Sequence, residues 1–208
     1  SCGMLINSRP ALACNTQILD VSKRRLVLAP MPNYAIVKDL VPELTPLFEK
    51  HAEVQPCIER KETVGETAEF IQTPEELERC LQFTYCIRCG LCVAACPTVA
   101  SDRSYLGPMA LAQAHRYNSD SRDEGFGERK KVVGSSHGAF RCHYAGECSH
   151  VCPKGVDPAR AIQLLKRDLV LSYLKLLKRR PNAQLSEGPP LGAERRADVP
   201  QAPPYTVK

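Results

Sequence analysis

The chain has 208 residues, a net charge of +5, 43% hydrophobic and 25% charged residues, which is an ordinary composition for a globular protein of one or two domains. No apolar run approaches the roughly 18 residues of a membrane-spanning helix. Few aromatic residues interleave with the basic ones, so we expect no nucleic-acid partner. The basic residues of the last quarter indicate either a solvated helix face or a surface for an acidic partner or anionic lipid.

The first 32 residues combine β-forming residues with turn residues, and they predict short strands and loops. From residue 34 to about residue 180 the apolar residues recur at helical spacing. This helical pattern begins in residues 37–54, although Pro42 and Pro46 limit the points at which a helix can start.

Two further segments predict helices with clear starts. Residues 73–86 predict a helix in which Thr73 and Glu76 form an N-terminal capping box, and this helix leads directly to Cys86. Residues 107–120 predict a second helix, which starts just after a glycine.

The last predicted helix covers residues 156–180 and is amphipathic, with Asp157 as its N-cap. After it the chain is rich in proline and poor in large apolar residues, so we expect an extended tail that is ordered only where it lies on another segment. The predicted division is therefore residues 1–33, residues 34–180 and residues 181–208.

The 11 cysteines exceed what packing requires, and nine of them fall into ligand-like spacings, which favours metal or cluster binding in a reducing compartment over disulfides. Residues 86–97 read Cys-x2-Cys-x2-Cys-x3-Cys-Pro, a specific signal for iron–sulfur clusters. We call them the first loop, and we call residues 142–153, which repeat this spacing, the second loop.

In two-cluster ferredoxins three thiolates of such a motif hold one cluster, and the cysteine before proline ligates the other. This rule predicts one ligand set of Cys86, Cys89, Cys92 and Cys152, and another of Cys96, Cys142 and Cys148.

The two sets differ in size because Ala145 stands in the second loop where the first loop has Cys89. Four thiolates match a [4Fe–4S] cluster, and three match a [3Fe–4S] cluster, since a methyl group cannot bind iron. Three alternatives stay open. Glu147 or His143 could supply a fourth ligand, a fourth iron could be open to a substrate, or the paired cysteines could bind zinc.

Four cysteines remain. Cys2 and Cys14 by themselves could be a core pair or ligands, but their setting resembles the end of a plant-type [2Fe–2S] motif whose two upstream cysteines are absent from this chain. Cys57 and Cys80 lie outside these sets, and we expect them to be buried packing residues.

Taken together, the motifs resemble those of one family, the iron–sulfur subunit of succinate dehydrogenase and fumarate reductase, in its bacterial or archaeal form. The resemblance implies an α+β fold: the C-terminal part of a β-grasp [2Fe–2S] ferredoxin-like domain, followed by an all-α ferredoxin-like domain holding two cubane-type clusters. It makes Cys2 and Cys14 the last two [2Fe–2S] ligands, and we expect the segment with the other two to be missing here or supplied by another polypeptide. The resemblance runs from residue 1 to about residue 180 and is carried by residues 1–14, 86–97, 106–123 and 140–158.

The resemblance also implies a function. A non-catalytic electron-transfer subunit of this kind passes electrons between FAD in a flavoprotein subunit and a quinone, and it lies on the cytoplasmic face of the cell membrane, held by membrane-anchor subunits. Pro97, Thr98 and His143 match positions of the family's quinone pocket, although His143 could instead pack beside the cluster. Many members have tryptophan where this chain has Ser101, which leaves the quinone contact and the type of quinone open.

Two rival functions remain. One is an iron–sulfur electron carrier of another flavin enzyme, of the glycolate-oxidase or heterodisulfide-reductase type. Such carriers usually have two complete cysteine motifs, so Ala145 argues against them. The other is a redox-silent structural or regulatory module, which would not need two clusters of different type.

Overall fold

The N-terminal region is a small antiparallel sheet, as its strand-like sequence predicts. The computed structural model describes residues 2–22, 24–61, 69–177 and 184–186. Strands β1 and β2 are joined by Asn7 and Ser8, which both have positive φ, a turn geometry that matches the natural twist of a hairpin. β1 also pairs with β3, so the strand order is β2-β1-β3. The elements are β1 (Gly3–Ile6), β2 (Arg9–Leu12), a 3-10 turn (Ala13–Asn15), α1 (Ile18–Val21) and β3 (Leu28–Ala29).

The segment after this sheet departs from the helical pattern of the sequence. Residues 36–42 form a second antiparallel hairpin, and the helix starts only after it, with Pro46 in its first turn. The β-branched pair Ile36 and Val37 favours a strand, and the positive φ of Asp39 lets the chain reverse. The helical prediction for residues 37–54 is therefore wrong in its first half and confirmed in its second. The elements are β4 (Ile36–Lys38), β5 (Val41–Pro42) and α2 (Thr45–Glu53).

The later helices form one packed unit around α6. Helices α3 and α9 pack on α6, which is buried on nearly all sides because it carries apolar and small residues around its circumference. Leu111 of α6 and Leu165 and Leu169 of α9 are fully excluded from solvent. Burial of each such side chain stabilises the fold by about 1.5–3 kcal/mol. The helices are α3 (Pro74–Thr84), α4 (Leu91–Ala94), α5 (Pro97–Ser101), α6 (Pro108–Asn118), α7 (Phe126–Val133), α8 (Glu147–His150) and α9 (Pro158–Tyr173), with a 3-10 turn (Ala139–Arg141) before α8.

The predicted helix starts are confirmed. The backbone N–H of Glu76 donates to the Thr73 hydroxyl at 3.3 Å, and the backbone N–H of Thr73 donates to the Glu76 carboxylate at 3.0 Å, which completes the capping box. Asp157 accepts from the backbone N–H of Arg160 at 2.9 Å. Because α3 ends at Thr84, it leads directly into the first loop.

Three residues of the predicted tail form a strand. β7 (Gln184–Ser186) pairs antiparallel with β6 (Glu69–Ile71), which agrees with a tail that is ordered where it lies on another segment. The rest of residues 181–208 lies outside the described residues. Among the helices that the structure describes, none has the length and apolarity needed to cross a membrane.

Candidate cluster-binding site

The structure brings each predicted ligand set of the helical unit together in its own cavity. The first cavity takes three cysteines from the first loop and one from the end of the second loop, and the second cavity takes one cysteine from the end of the first loop. The chain therefore crosses between the cavities at Cys96 and at Cys152. The thiols of the first cavity belong to Cys86, Cys89, Cys92 and Cys152, and those of the second to Cys96, Cys142 and Cys148.

The two loops have the same backbone conformation. Arg88 and Gly90 have φ values of 55° and 85°, and the corresponding residues Tyr144 and Gly146 have 61° and 81°. Each loop then enters a one-turn helix at the residue after its glycine. Left-handed backbone is unfavourable for residues other than glycine. Its recurrence at Tyr144 indicates that the second loop keeps the full shape of the first, although it lacks one thiol.

Ala145 lines the second cavity, at the position that corresponds to Cys89 in the first. A side chain at this position therefore borders the cluster space, but a methyl group offers no ligand. Glu147 also lines the second cavity, whereas His143 is exposed and is not among the described residues that form its wall. Of the two alternative fourth ligands, only Glu147 lies at the cavity.

Helix α6 stands between the two cavities. Met109 and Ala112 of α6 give the first cavity an apolar wall, while Pro108 at the start of α6 belongs to the second. Burial, reinforced by other thiols that include Cys148 of the second set, raises the pKa of Cys92 well above its ordinary value. The two sets are thus close enough to influence each other electrostatically.

Different parts of the chain hold the two loops in place. The side-chain amide of Asn33 donates to the carbonyls of Val93, Ala94 and Cys96 at 2.9–3.1 Å. The Tyr34 hydroxyl donates to the Gly90 carbonyl at 3.0 Å. The first loop is therefore anchored by the segment that follows β3.

The second loop is anchored by helix α9. The Ser149 hydroxyl donates to the Asp157 carboxylate at 2.5 Å, and the Lys166 ammonium donates to the Cys142 carbonyl at 2.8 Å. The Asp157 carboxylate therefore serves both as the cap of α9 and as a tie to α8.

The wall of the second cavity contains a buried hydroxyl. Tyr105 is 1% exposed, and its hydroxyl makes no hydrogen bond of good geometry to the described residues, although it interacts with the thiol of Cys142. Burial, together with the nearby thiols of Cys142 and Cys96, raises the pKa of Tyr105, so the hydroxyl remains a donor. Buried hydroxyls are normally hydrogen-bonded. An acceptor such as a cluster sulfur in this cavity would satisfy it.

The residues that line the two cavities bear on the kind of metal site that they could form. No three His, Cys, Asp or Glu side chains within the described ranges lie close enough together to hold a single metal ion. A tetrahedral zinc site draws its ligands to about 2.0–2.3 Å from one ion, whereas a cluster distributes its thiolates over several irons. Four thiols in the lining of one cavity and three in that of the other, beside apolar residues such as Met109 and Ile162, fit iron–sulfur clusters.

The N-terminal pair also meets in the structure. The sulfurs of Cys2 and Cys14 lie 2.8 Å apart, beside a hydrogen bond in which the backbone N–H of Ala13 donates to the Cys2 carbonyl. The hairpin of β1 and β2 thus brings together two thiols that are twelve residues apart in sequence. This is the arrangement expected of the last two ligands of a [2Fe–2S] site.

The two remaining cysteines behave differently from each other. Cys80 is 2% exposed, which confirms it as a packing residue. The same prediction is wrong for Cys57, which is exposed. Its backbone rather than its thiol contributes to the interior, because its carbonyl accepts from the buried guanidinium of Arg129 at 2.6 Å.

Two of the three predicted quinone-pocket residues line the second cavity, and the third does not. Pro97 and Thr98, at the start of α5, line the second cavity; Thr98 is buried and Pro97 is exposed. His143 is exposed beside Cys142. Ser101, which replaces the family's tryptophan, is exposed and donates its hydroxyl to the Thr98 carbonyl at 3.0 Å.

Sequence reasoning missed Asn33, Tyr34 and Tyr105, which the structure places against the loops. The first two reach residues about 60 positions away in the chain, and no local spacing signals such a contact. Tyr105 could have drawn attention as a large polar aromatic residue directly before the start of a buried helix.

Comparisons with known proteins agree with this site. The profile of the "2Fe-2S iron-sulfur cluster binding domain" matches residues 1–49, and that of the "4Fe-4S dicluster domain" matches residues 82–156. The "Fumarate reductase iron-sulfur subunit" of Mycobacterium tuberculosis is 44% identical over 178 residues, covering 85% of this chain and 72% of the relative. The "Succinate dehydrogenase iron-sulfur subunit" of Paracoccus denitrificans is 39% identical over 172 residues, covering 82% of this chain and 65% of the relative.

A solved structure shares the fold. The chain matches one from the "Mycobacterium smegmatis Sdh1 complex in the apo form" with a TM-score of 0.69 and 23% identity, covering 83% of this chain and 73% of that one. The sequence identity to curated relatives and the two domain profiles both lead to one assignment. This chain belongs to the family of iron–sulfur subunits of fumarate reductase and succinate dehydrogenase.

Proposed function

We propose that this chain conducts electrons between the FAD of a flavoprotein subunit and a membrane quinone, through one [2Fe–2S], one [4Fe–4S] and one [3Fe–4S] cluster. The observation that carries the proposal is the pair of cavities built on one loop shape, with four thiols in the first and three thiols plus Ala145 in the second. Two sites that differ by one ligand hold clusters of different type, and different types have different reduction potentials. The names of the relatives describe iron–sulfur subunits of fumarate reductase and succinate dehydrogenase.

In this proposal the cluster ligands are Cys86, Cys89, Cys92 and Cys152 for [4Fe–4S], Cys96, Cys142 and Cys148 for [3Fe–4S], and Cys2 and Cys14 for [2Fe–2S]. When bound, each cluster supplies a one-electron redox centre. The residues of this chain position the clusters and shield them from water. The cross-over of Cys96 and Cys152 ties both sites to one rigid unit, and apolar residues such as Met109 and Ala112 keep water away from the first site.

The second site is the proposed quinone end. Phe140 and Tyr144 are 48% and 61% exposed beside the second loop, and Pro97 and His143 are exposed near them. Exposed apolar groups that cluster on a surface mark contacts with other proteins or with membranes. These residues support contact with membrane-anchor subunits and a quinone there. The proposal also includes a peripheral position of the chain on the cytoplasmic face of the membrane. The division into residues 1–33, 34–180 and 181–208 belongs to the same proposal.

The test is electron paramagnetic resonance of the anaerobically purified complex, first oxidised and then reduced in steps. We expect a [3Fe–4S] signal in the oxidised state that disappears on mild reduction, followed by signals of the other clusters. A silent oxidised sample whose iron content corresponds to two complete cubanes would contradict the assignment of the second site.

The quinone end has its own test. We expect His143→Ala and Thr98→Val to raise the KM for quinone severalfold while electron transfer from succinate to an artificial acceptor at the flavin stays unchanged. An unchanged KM in both variants would place the quinone elsewhere.

A further inference from the structure

Tyr105 is the residue of the second cavity whose chemistry the electron-transfer proposal leaves unused. It lies just before α6, is 1% exposed, and lines the cavity that also contains Cys96, Cys142 and Cys148. The backbone at Tyr105 and at the next residue is held by hydrogen bonds. The Lys50 ammonium donates to the Tyr105 carbonyl at 2.7 Å, and the next residue, Leu106, donates its N–H to the His137 carbonyl at 2.9 Å. Because the side chain is almost fully buried, close packing leaves the ring little room to turn its hydroxyl away from the thiols of the second set.

The hydroxyl itself makes no hydrogen bond of good geometry to a described residue, and the thiol of Cys142 is the polar side chain that interacts with it most strongly. Leaving a buried donor unpaired costs about 1–3 kcal/mol in proteins, so a native site rarely does so without another group to bind. The groups that act on this hydroxyl are the thiols of the second set, with Cys142 first among them. The acceptor that this cavity would provide is therefore sulfur, on Cys142 or on the cluster.

None of the described residues that line the first cavity carries a hydroxyl, and its side-chain donors are the charged Arg88 and Lys154. The tyrosine nearest to the first loop, Tyr34, already donates its hydroxyl to the Gly90 carbonyl at 3.0 Å. The walls of the first cavity are formed by side chains such as Leu91, Met109 and Ala112. The free hydroxyl is thus a property of the second cavity.

We propose that Tyr105 is a positioning residue of the second cluster: its hydroxyl donates a hydrogen bond to sulfur there and raises the cluster's reduction potential. A hydrogen bond to sulfur is stronger when the cluster carries the additional negative charge of the reduced state, so the donor favours reduction. The effect adds to that of the missing fourth ligand. This inference rests on the proposed function, because it needs a cluster in the second cavity.

The test is a redox titration of the purified complex, followed by the electron paramagnetic resonance signal of the oxidised second cluster. In Tyr105→Phe the equilibrium between oxidised and reduced cluster should shift roughly tenfold toward the oxidised form, which corresponds to a potential lower by about 59 mV for a one-electron couple. Tyr34→Phe is the matched control. It removes one hydroxyl next to the other loop, and it should leave the potential of the second cluster unchanged.

Two outcomes overturn the inference. One is a Tyr105→Phe complex with a full oxidised signal and a shift below twofold; the other is an equal shift in Tyr34→Phe. If Tyr105→Phe does not retain the second cluster, the inference is tested on the wild-type complex instead. Electron–nuclear double resonance in H2O and in D2O then detects exchangeable protons near the oxidised cluster. An exchangeable proton coupled to the oxidised cluster, in addition to the amide of Tyr144 that faces Cys142, supports the inference, and its absence overturns it. Failure of the proposed function looks different, because the wild-type complex would then lack the oxidised signal altogether.

Discussion

The two cysteine loops of this protein share one backbone and differ in what their side chains offer. Gly90 and Gly146 have nearly the same φ, and so do Arg88 and Tyr144. Yet one loop presents Cys89 where the other presents Ala145. The comparison teaches that a cluster-binding loop can be conserved as a shape while one ligand is removed. In the proposed function the identity of this single side chain selects the cluster, because the backbone around it is already in place.

The largest effects should come from the cysteines that cross between the loops. Cys152→Ala should abolish the [4Fe–4S] signal and spare the oxidised [3Fe–4S] signal, because Cys152 lies in the first cavity although it follows the second loop. Cys96→Ala should do the reverse. The measurement is paramagnetic resonance of membranes containing each variant, with the exposed Cys57→Ala as control.

The opposite assignment would show itself clearly. If Cys152→Ala removed the oxidised [3Fe–4S] signal and kept the four-iron cluster, each loop would hold its own cysteines and the cross-over would be wrong.

The next largest change in the clusters should follow when the second loop is converted into a copy of the first. Ala145→Cys should let the second site take up a fourth iron, since this position already lines the cavity. We expect one additional iron per chain, loss of the oxidised [3Fe–4S] signal and a lower potential. Ala145→Gly, which adds no ligand, should keep the wild-type signal. An Ala145→Cys complex with unchanged iron content would mean that the cavity geometry, and not the missing thiol, excludes the fourth iron.

Alanine substitutions of the two loop glycines should have a smaller effect, on stability, that differs between the two loops. Both have φ values near +80°, so alanine at either position should cost about 1–2 kcal/mol of backbone strain. Gly90→Ala should cost more than Gly146→Ala, because its new Cβ would lie 2.6 Å from the Tyr34 hydroxyl. At Gly146 the nearest described atom is 4.0 Å away, on His150.

The measurement is the midpoint of thermal unfolding of the complex for each alanine variant. Tyr34→Phe combined with Gly90→Ala should recover part of the loss, because it removes the clashing oxygen. Equal midpoints for Gly90→Ala and Gly146→Ala would show that the Tyr34 contact does not constrain the first loop.

The anchors of the loops come last, because their loss leaves the thiols and the backbone conformation of the loops in place. Asn33→Gly keeps the left-handed backbone of this residue but loses the hydrogen bonds to three carbonyls, and should destabilise the first loop by about 1–3 kcal/mol. Asp157→Ala loses the cap of α9 and the bond to Ser149, and should destabilise the second loop by about 1 kcal/mol.

Chelator-driven loss of iron, followed separately for the two clusters, checks both variants. Asn33→Gly should speed release more from the four-iron site, because Val93 and Ala94 directly follow Cys92, and Asp157→Ala more from the three-iron site, because Ser149 directly follows Cys148. The other site should respond less in each variant, through the cysteines at which the chain crosses, Cys96 and Cys152. An equal acceleration at both sites in each variant would contradict the assignment of one anchor to each loop.

Much of this molecule could be predicted from local sequence because its main signals are local. The capping box of Thr73 and Glu76 and the cap at Asp157 each depend on residues three positions apart. The ligand sets follow from spacings within each loop together with the cross-over rule. Where a local signal was ambiguous the prediction failed. Residues 37–54 carry a helical pattern, but β-branched residues and a left-handed Asp39 place a hairpin at residues 36–42.

The sequence by itself determined the number and type of thiols, the position of Ala145 and the helices that carry the loops, since these depend on residue identity at short range. Only the tertiary structure decided which distant groups meet them. Asn33 contacts carbonyls about 60 residues away, and the hydroxyl of Tyr105 ends beside the second cavity. Such contacts arise when helices pack, because packing brings together surfaces that no spacing along the chain relates. The proposed ligands of the clusters can therefore be predicted from the sequence, whereas the distant groups that contact the loops and the second cavity cannot.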